Sequence, residues 1–228
     1  QFREAEGDIL DRILRGEADD RIGSRCACGE GTCTVRCNDC VMRPPSCEDC
    51  FIRQHKWNPT HWAHVWDEDS GVFRRSDISF VSARGDDGKR EAYTFQLGHG
   101  GERCPYPSKP IQFTLVDING VHGTPVRFCG CYKHLEKYQQ LLDARLFPAT
   151  LRAPQTAFTF RLLKTFHLIH LEGKASALDL MGALRRLTDN VFTDDVPVRT
   201  LRLILCPLRL LTFFFFNQVG NVSGAKPR

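Results

Sequence analysis

The period of the apolar positions changes along the chain. Ile9, Leu10, Ile13 and Leu14 share one face within Asp8 to Ala18, the spacing of a short amphipathic helix. From Ile111 to Ile118 (IQFTLVDI) the pattern alternates and strand formers dominate. Thr124 to Phe128 can pair with that strand, with Asn119-Gly120 marking a hairpin turn, so residues 91–131 are expected to form a small β element. Helical spacing returns over His134 to Leu146, Thr156 to Leu171 and Ser176 to Thr188, and Pro148 and Pro154 break the first connection. Gly85, Asp86, Asp87 and Gly88 read as a turn or short linker. The expected fold class is α+β. It divides into a helical lead-in (1–24), a cysteine-rich module (25–66), a β hairpin with helices (91–190) and a tail (191–228).

The tail contains the run Leu201 to Phe216 (LRLILCPLRLLTFFFF), only sixteen residues long and interrupted by Arg202, Pro207 and Arg209. A spanning helix needs about twenty clean apolar residues, so a buried helix, a strand or an artefact of gene prediction is expected instead of a membrane segment.

Charge alters this picture little. The 228 residues carry 31 Lys and Arg against 27 Asp and Glu, and no acid follows Asp195, whereas Arg199, Arg202, Arg209, Lys226 and Arg228 do. The body up to Asp195 is near neutral, which argues against a strongly basic nucleic-acid scaffold. Arg21, Arg25, Arg36, Arg43, Arg53 and Lys56 form the one basic set that argues the other way.

Cysteine alters it most. Seven of eleven cysteines fall between Cys26 and Cys50. No secretory signal pattern is visible, and an opening at Gln1 has the look of a fragment boundary, so metal is expected in place of disulfides. The sequon Asn221-Val-Ser carries no weight without secretion. Cys37-x2-Cys40 and Cys47-x2-Cys50 have knuckle spacing, in which a tight turn aims two thiolates at one ion. His55 and His61 supply a further pair, and two of Cys26, Cys28 and Cys33 another. Four pairs in that order suit a cross-braced, B-box-like module, with the first and third pairs on one zinc and the second and fourth on another. Two structural zincs are expected, because a short segment with few large aliphatic residues needs metal to fold. Cys33 and His64 remain open between ligand and ordinary core residue. Trp57, Trp62 and Trp66 are expected to pack over the metal sites.

A looser constellation comprises His99, Cys104, His122, Cys129 and Cys131; of these His99, Cys104, Cys129 and Cys131 could close a third zinc site across the hairpin. Gly98, Gly100 and Gly101 surround the histidine, but the strand-then-helix context of a phosphate loop is missing. Enzyme readings fail on the residues. His134-Leu-Glu136 has no downstream Pro-Cys-x2-Cys as a zinc deaminase requires. His167 and His170 lack the Glu-bearing pattern of a helical zinc protease, and Asp117, Asp143 and Asp179 are scattered. Closed Cys and His sets leave no position for a small-molecule substrate, so the chain is expected to be no enzyme.

The segments RCNDC, CEDCFIRQH, QLGHGGERCP, VHGTPVRFCGC, LLDARLFPATLRAPQTAFTFRLLKTFHLIHLEGKASA and ALRRLTDN, from Arg25 to Asn190, resemble the cysteine-cluster domain of the second CxC-like class that accompanies KDZ transposases in fungal genomes. The resemblance implies zinc ligation by Cys37, Cys40, Cys47, Cys50, His55 and His61, and by His99, Cys104, Cys129 and Cys131 in a second cluster, leaving the first pair open between Cys26, Cys28 and Cys33. It also implies a separate ribonuclease-H-like catalytic domain that this sequence lacks. Past Asn190 the resemblance fades, as in a truncated or misannotated copy. The expectation is a non-catalytic zinc-binding domain of transposase origin that contacts DNA or chromatin for a catalytic partner, nuclear by resemblance and otherwise cytoplasmic, neither secreted nor in a membrane. The alternative is a B-box-like protein-protein interaction module, which the neutral body favours.

Overall fold

A computed structural model describes residues 2–196 apart from 18, 43, 86, 87 and 132–134. The tail run Leu201 to Phe216 lies outside the described residues. The chain divides into two compact units, residues 1–93 and 94–228.

In the first unit, α1 (Phe2–Glu17) is longer than the apolar spacing foretells and buries none of its residues. Pairs one turn apart, Arg12 with Asp8 and Arg15 with Asp11, line its polar face. Strands β1 (Val35–Arg36), β2 (Ala63–Asp67) and β3 (Val72–Ser76) form an antiparallel sheet in that order. Between β1 and β2 runs α2 (Glu48–His55), and β4 (Ser82–Arg84) pairs with β5 (Arg90–Ala92). A bond from the Gly85 amide to the Lys89 carbonyl joins the two strands at their connection, which lies inside this unit and does not link two units. The α2 carboxylates hold this hairpin: Asp49 accepts from the Arg84 amide at 2.6 Å and Glu48 pairs with Arg90. The core is small, built on Val35, Phe51, Trp62, Ala63, Ile78, Val81 and Tyr93. Arg36 is also buried, with its guanidinium 3.8 Å above the Phe73 ring and Nη1 bonded to the Gly16 carbonyl at 2.7 Å.

The second unit is a five-stranded sheet, β6 (Phe95–Gln96), β8 (Gly120–Arg127), β7 (Ile111–Asp117), β10 (Thr156–Thr159) and β9 (Leu146–Pro148), in that spatial order. β7 and β8 form the expected hairpin, but Asp117 pairs with Gly120, so the loop is Ile118-Asn119 and the turn lies one residue earlier than Asn119-Gly120. The helices are shorter than their apolar periods. α3 covers only Lys137–Asp143 before β9 begins, and Thr156 to Thr159 is a strand parallel to β7 that leads directly into α4 (Phe160–Gly173). The β-branched threonines and Phe158 suit the pleat, and the Thr159 side chain accepts the Leu162 amide at 3.2 Å to start the helix. α5 (Ala177–Thr188) begins at a capping box between Ser176 and Asp179, whose carboxyl those bonds hold below its usual range. α4 and α5 cover the sheet through Val116, Val121, Phe158, Leu162, Leu163, Met181 and Leu184, joined by Val196. The β content of this part thus exceeds the helical back expected of it.

Asp117 is fully buried at the end of β7. It accepts from the Thr159 hydroxyl at 2.6 Å, the Ile118 amide at 2.8 Å and Arg161 Nε at 2.7 Å, with Arg161 Nη2 as a further donor. The arginine side chain keeps 49% of its surface exposed, so the pair is partly screened. Arg161→Ala still strands a buried carboxylate. It is expected to cost about 2 kcal/mol, below the roughly 3–5 kcal/mol of a wholly buried pair, read as a lowered urea midpoint of the second unit.

Candidate metal centres

Three groups of four Cys and His residues converge, and within each the ligand atoms all lie within 4.8 Å of one another. The first comprises Cys26, Cys28, Cys47 and Cys50; the second Cys37, Cys40, His55 and His61; the third His99, Cys104, Cys129 and Cys131. In the front unit the first pair therefore meets the third, and the second meets the fourth.

The first group joins two local structures. A tight hairpin with Arg25 opposite Thr32 presents Cys26 and Cys28, and the start of α2 presents Cys47 and Cys50. Cys28 Sγ lies 3.6 Å from Cys47 Sγ, and the Cys47 amide donates to Cys26 Sγ at 3.4 Å. Close approach depends on Gly31, where a Cβ would stand 2.8 Å from the Cys47 Cβ. Burial pushes the Cys26 thiol up, but amide and thiol donors around it outweigh this and bring it to about 6. Burial raises Cys47 and Cys50.

The second group is ordered by hydrogen bonds as well as by spacing. The Phe51 carbonyl can only accept, so its 2.9 Å bond to His55 Nδ1 puts the ring proton there and turns the Nε2 lone pair toward Cys40 Sγ, 3.4 Å away. His61 presents the other nitrogen: Nδ1 is 3.5 Å from Cys37 Sγ and 3.3 Å from Cys40 Sγ. Asp39 accepts the Trp62 amide at 2.8 Å and ties the knuckle to the chain just after His61. Burial, then the charge of Cys40, pushes the Cys37 thiol up to about 12.

In the third group Cys104 Sγ is 3.4 Å from both Cys129 Sγ and Cys131 Sγ, and Cys129 Sγ is 3.3 Å from His99 Nε2. Gln140 on α3 clamps Cys129 through the backbone, accepting its amide at 2.9 Å and donating to its carbonyl at 3.1 Å. The glycine before the histidine has a packing role: Gly98 has φ +80°, and a Cβ there would stand 2.8 Å from the Cys129 Cβ. Burial acts upward on Cys104, but Cys131, the Tyr106 amide and Cys129 bring it down to about 6, while Cys131 is pushed up to about 11 by Cys104 and then by burial. Crowded thiols thus resist sharing negative charge, a conflict that a bound divalent cation removes.

The donor set fits zinc. A tetrahedron with zinc–sulfur bonds near 2.3 Å has sulfur–sulfur edges of about 3.8 Å and sulfur–nitrogen edges of about 3.6 Å. The shortest contacts within the groups, 3.3 to 3.6 Å, are slightly tighter than these, and every pair lies within 4.8 Å. Gly31→Ala and Gly98→Ala are each expected to release one metal ion to a competing chelator at concentrations that leave the other two bound, as followed by native mass spectrometry.

Other candidate residues fall elsewhere. Cys33 is buried beside Cys26 and Cys47, its thiol pushed up by burial, but joins no group of four. His64, on β2 opposite Arg36, also joins none; burial and then Arg36 lower its pKa. His122 is buried with Nε2 3.0 Å from Asn119 Oδ1. Trp62 is buried under Arg75 and Trp66 meets Phe73 edge-on, but Trp57 is 60% exposed with Lys56 above it, contrary to the expected packing role. The front basic set is largely engaged within its own unit: Arg21 binds Asp19, Arg25 the Gly29 carbonyl, and Arg36 Gly16 and Glu17. Arg43 lies outside the described residues.

The stretch that holds the third group, its hairpin and the following helices is similar to a known family. Residues 89–192 match the CxC2 like cysteine cluster associated with KDZ transposases. The matching, CxC2-like segment contains QLGHGGERCP and VHGTPVRFCGC with all four residues of the third group. The match begins well after Arg25, so the first two groups lie ahead of it, and the roles implied there for Cys37, Cys40, Cys47, Cys50, His55 and His61 rest on geometry alone. No curated protein and no solved structure matches the chain. Among the described residues, no helix is long and apolar enough to cross a membrane.

Proposed function

We propose that this chain is a non-catalytic zinc-binding module of transposase origin, holding three structural zinc ions, that contacts DNA for a separate catalytic domain in the nucleus. The observation that carries the zinc reading is the convergence of each group: four soft or borderline donors within 4.8 Å of one another make a full ligand set for one zinc ion, which leaves no position for a substrate. Bound zinc supplies folding energy here, and the residues do the rest by fixing ligand direction, as Phe51 does for His55 and Gln140 for Cys129.

The DNA reading is supported by the similarity of the CxC2-like segment to a cluster associated with transposases and by the division of charge. Residues 1–93 hold 14 Lys and Arg against 18 Asp and Glu; residues 94–228 hold 17 against 9. The positive excess therefore belongs to the unit containing the CxC2-like segment and the basic tail. The test is binding of the zinc-loaded chain to random-sequence duplex DNA across a salt series. Affinity should fall with a log–log slope of about 0.9 per phosphate neutralised. No binding at low salt contradicts the DNA reading.

A second reading has its own observation. The front unit is acidic and carries exposed apolar residues at Val41, Met42 and along α1, which favours a B-box-like role in protein contact for that unit.

A further inference from the structure

Among the described residues, the longest helix of the front unit buries none of its side chains. In α1, Phe2 is 85% exposed, Ile9 39%, Leu10 55%, Ile13 59% and Leu14 59%. At 3.6 residues per turn these five side chains share one face. The pairs Arg12 with Asp8 and Arg15 with Asp11 lie on the opposite side, where a water-facing surface is expected. The helix is nonetheless tied at its end: Arg36, itself buried, bonds the Gly16 carbonyl at 2.7 Å and Glu17 at 3.1 Å. A sixteen-residue helix with no packed face is marginal in water, since most helical stability in proteins comes from burying an amphipathic stripe.

We propose that α1 is a self-association surface, in which the apolar faces of two copies of this chain pack as an antiparallel helix pair. Charge chooses both the occupant and the direction. Only three charged residues share the apolar face: Arg3 near its start, Glu6, and Glu17 at its end. Parallel packing sets Arg3 against Arg3 and each glutamate against its own copy. Antiparallel packing with the two-fold axis near Leu10 brings Arg3 of each helix to the end that holds Glu17 of the other, whose carboxylate stays 73% exposed beside its bond to Arg36 and can accept a second donor. Leu10 then meets its own copy, Ile9 and Ile13 flank it, and Leu14 meets the aliphatic stem of Glu6 from the other helix. This pairing is isologous, so one surface serves both partners and the assembly stops at a dimer. The contact lies at the small end of interface sizes, so the dimer is weak and dilution dissociates it.

The test is sedimentation equilibrium of the zinc-loaded full chain over a concentration series up to ~100 µM, a range set by the small contact. The weight-average mass should rise from 25.9 kDa toward twice that value. Leu10→Asp, at the two-fold axis, should weaken association at least about tenfold. Arg3→Glu should weaken it by a smaller factor that shrinks in high salt. Because no described residue of α1 is buried, both variants should keep the wild-type zinc content and far-ultraviolet spectrum of the front unit. A wild-type mass that stays at the monomer value overturns the inference, as does a dimer that Leu10→Asp leaves intact. A dimer that Arg3→Glu strengthens overturns the antiparallel direction.

Discussion

Chelation of zinc is expected to unfold the front unit while leaving much of the second unit folded. Structural zinc contributes on the order of 10–16 kcal/mol of apparent binding energy per site, comparable to the roughly 5–15 kcal/mol that holds a whole domain together. Two groups of ligands share the front unit, whose apolar core is small and whose α1 buries nothing. The second unit has a sheet covered by α4 and α5, so loss of its one ion should loosen the segments around His99, Cys104 and Cys129 and spare the strands beneath the helices. All three tryptophans lie in the front unit, so the emission of buried Trp62 and half-buried Trp66 should shift to the red while far-ultraviolet circular dichroism is only partly lost. Acid should reproduce the effect. Zinc-bound thiolates carry no protons, whereas the same thiols in the unfolded chain bind them below a pKa of about 8.5, so stability rises with pH and falls on acidification. Unchanged tryptophan emission after complete zinc removal would contradict a metal-dependent front unit.

The second large effect is expected from Cys37→Ser combined with Cys40→Ser. The variant removes two of four ligands from the second group, but the loss should spread, because α2 starts at the ligands of the first group and ends at His55 of the second. Zinc content by native mass spectrometry should fall from three ions to one, the one held by the CxC2-like segment. Cys33→Ala, at a buried cysteine outside the groups, should retain all three. A double variant that keeps three ions would remove the second group from consideration.

How much of this could be read from the sequence depended on range. Cys37-x2-Cys40 and Cys47-x2-Cys50 are legible because a two-residue spacer brings thiols together whatever surrounds them, and their order suggests how the pairs interleave. The selection of Cys28 and not Cys33 is not legible. It follows from the hairpin at Arg25 and Thr32, whose backbone bonds place Cys33 opposite Ser24. Nor does Gly31 announce itself, since its role is close contact with Cys47, sixteen residues away. Gly98 could be noticed among the glycines around His99, but its role is not visible until Cys129 is seen against it.

The hairpin of β7 and β8 follows from local alternation and a local turn, and its register differs from expectation by one residue. Thr156 to Thr159 misleads for the opposite reason. Its four residues blend into the apolar period of α4, and pairing with β7, some forty residues earlier, and with β9 on the other side makes them a strand. β2 and β3 hide among charged residues, because their stability comes from cross-strand contacts such as Trp66 with Phe73 and Arg75 with Trp62.

Zinc K-edge X-ray absorption on the zinc-loaded full chain tests the central claim most directly. The three groups offer nine sulfur and three nitrogen donors, so the average shell should hold three sulfurs and one nitrogen per ion, with zinc–sulfur distances of about 2.3 Å. A shell dominated by oxygen or nitrogen, or a sulfur count well below three, would contradict three closed Cys and His centres.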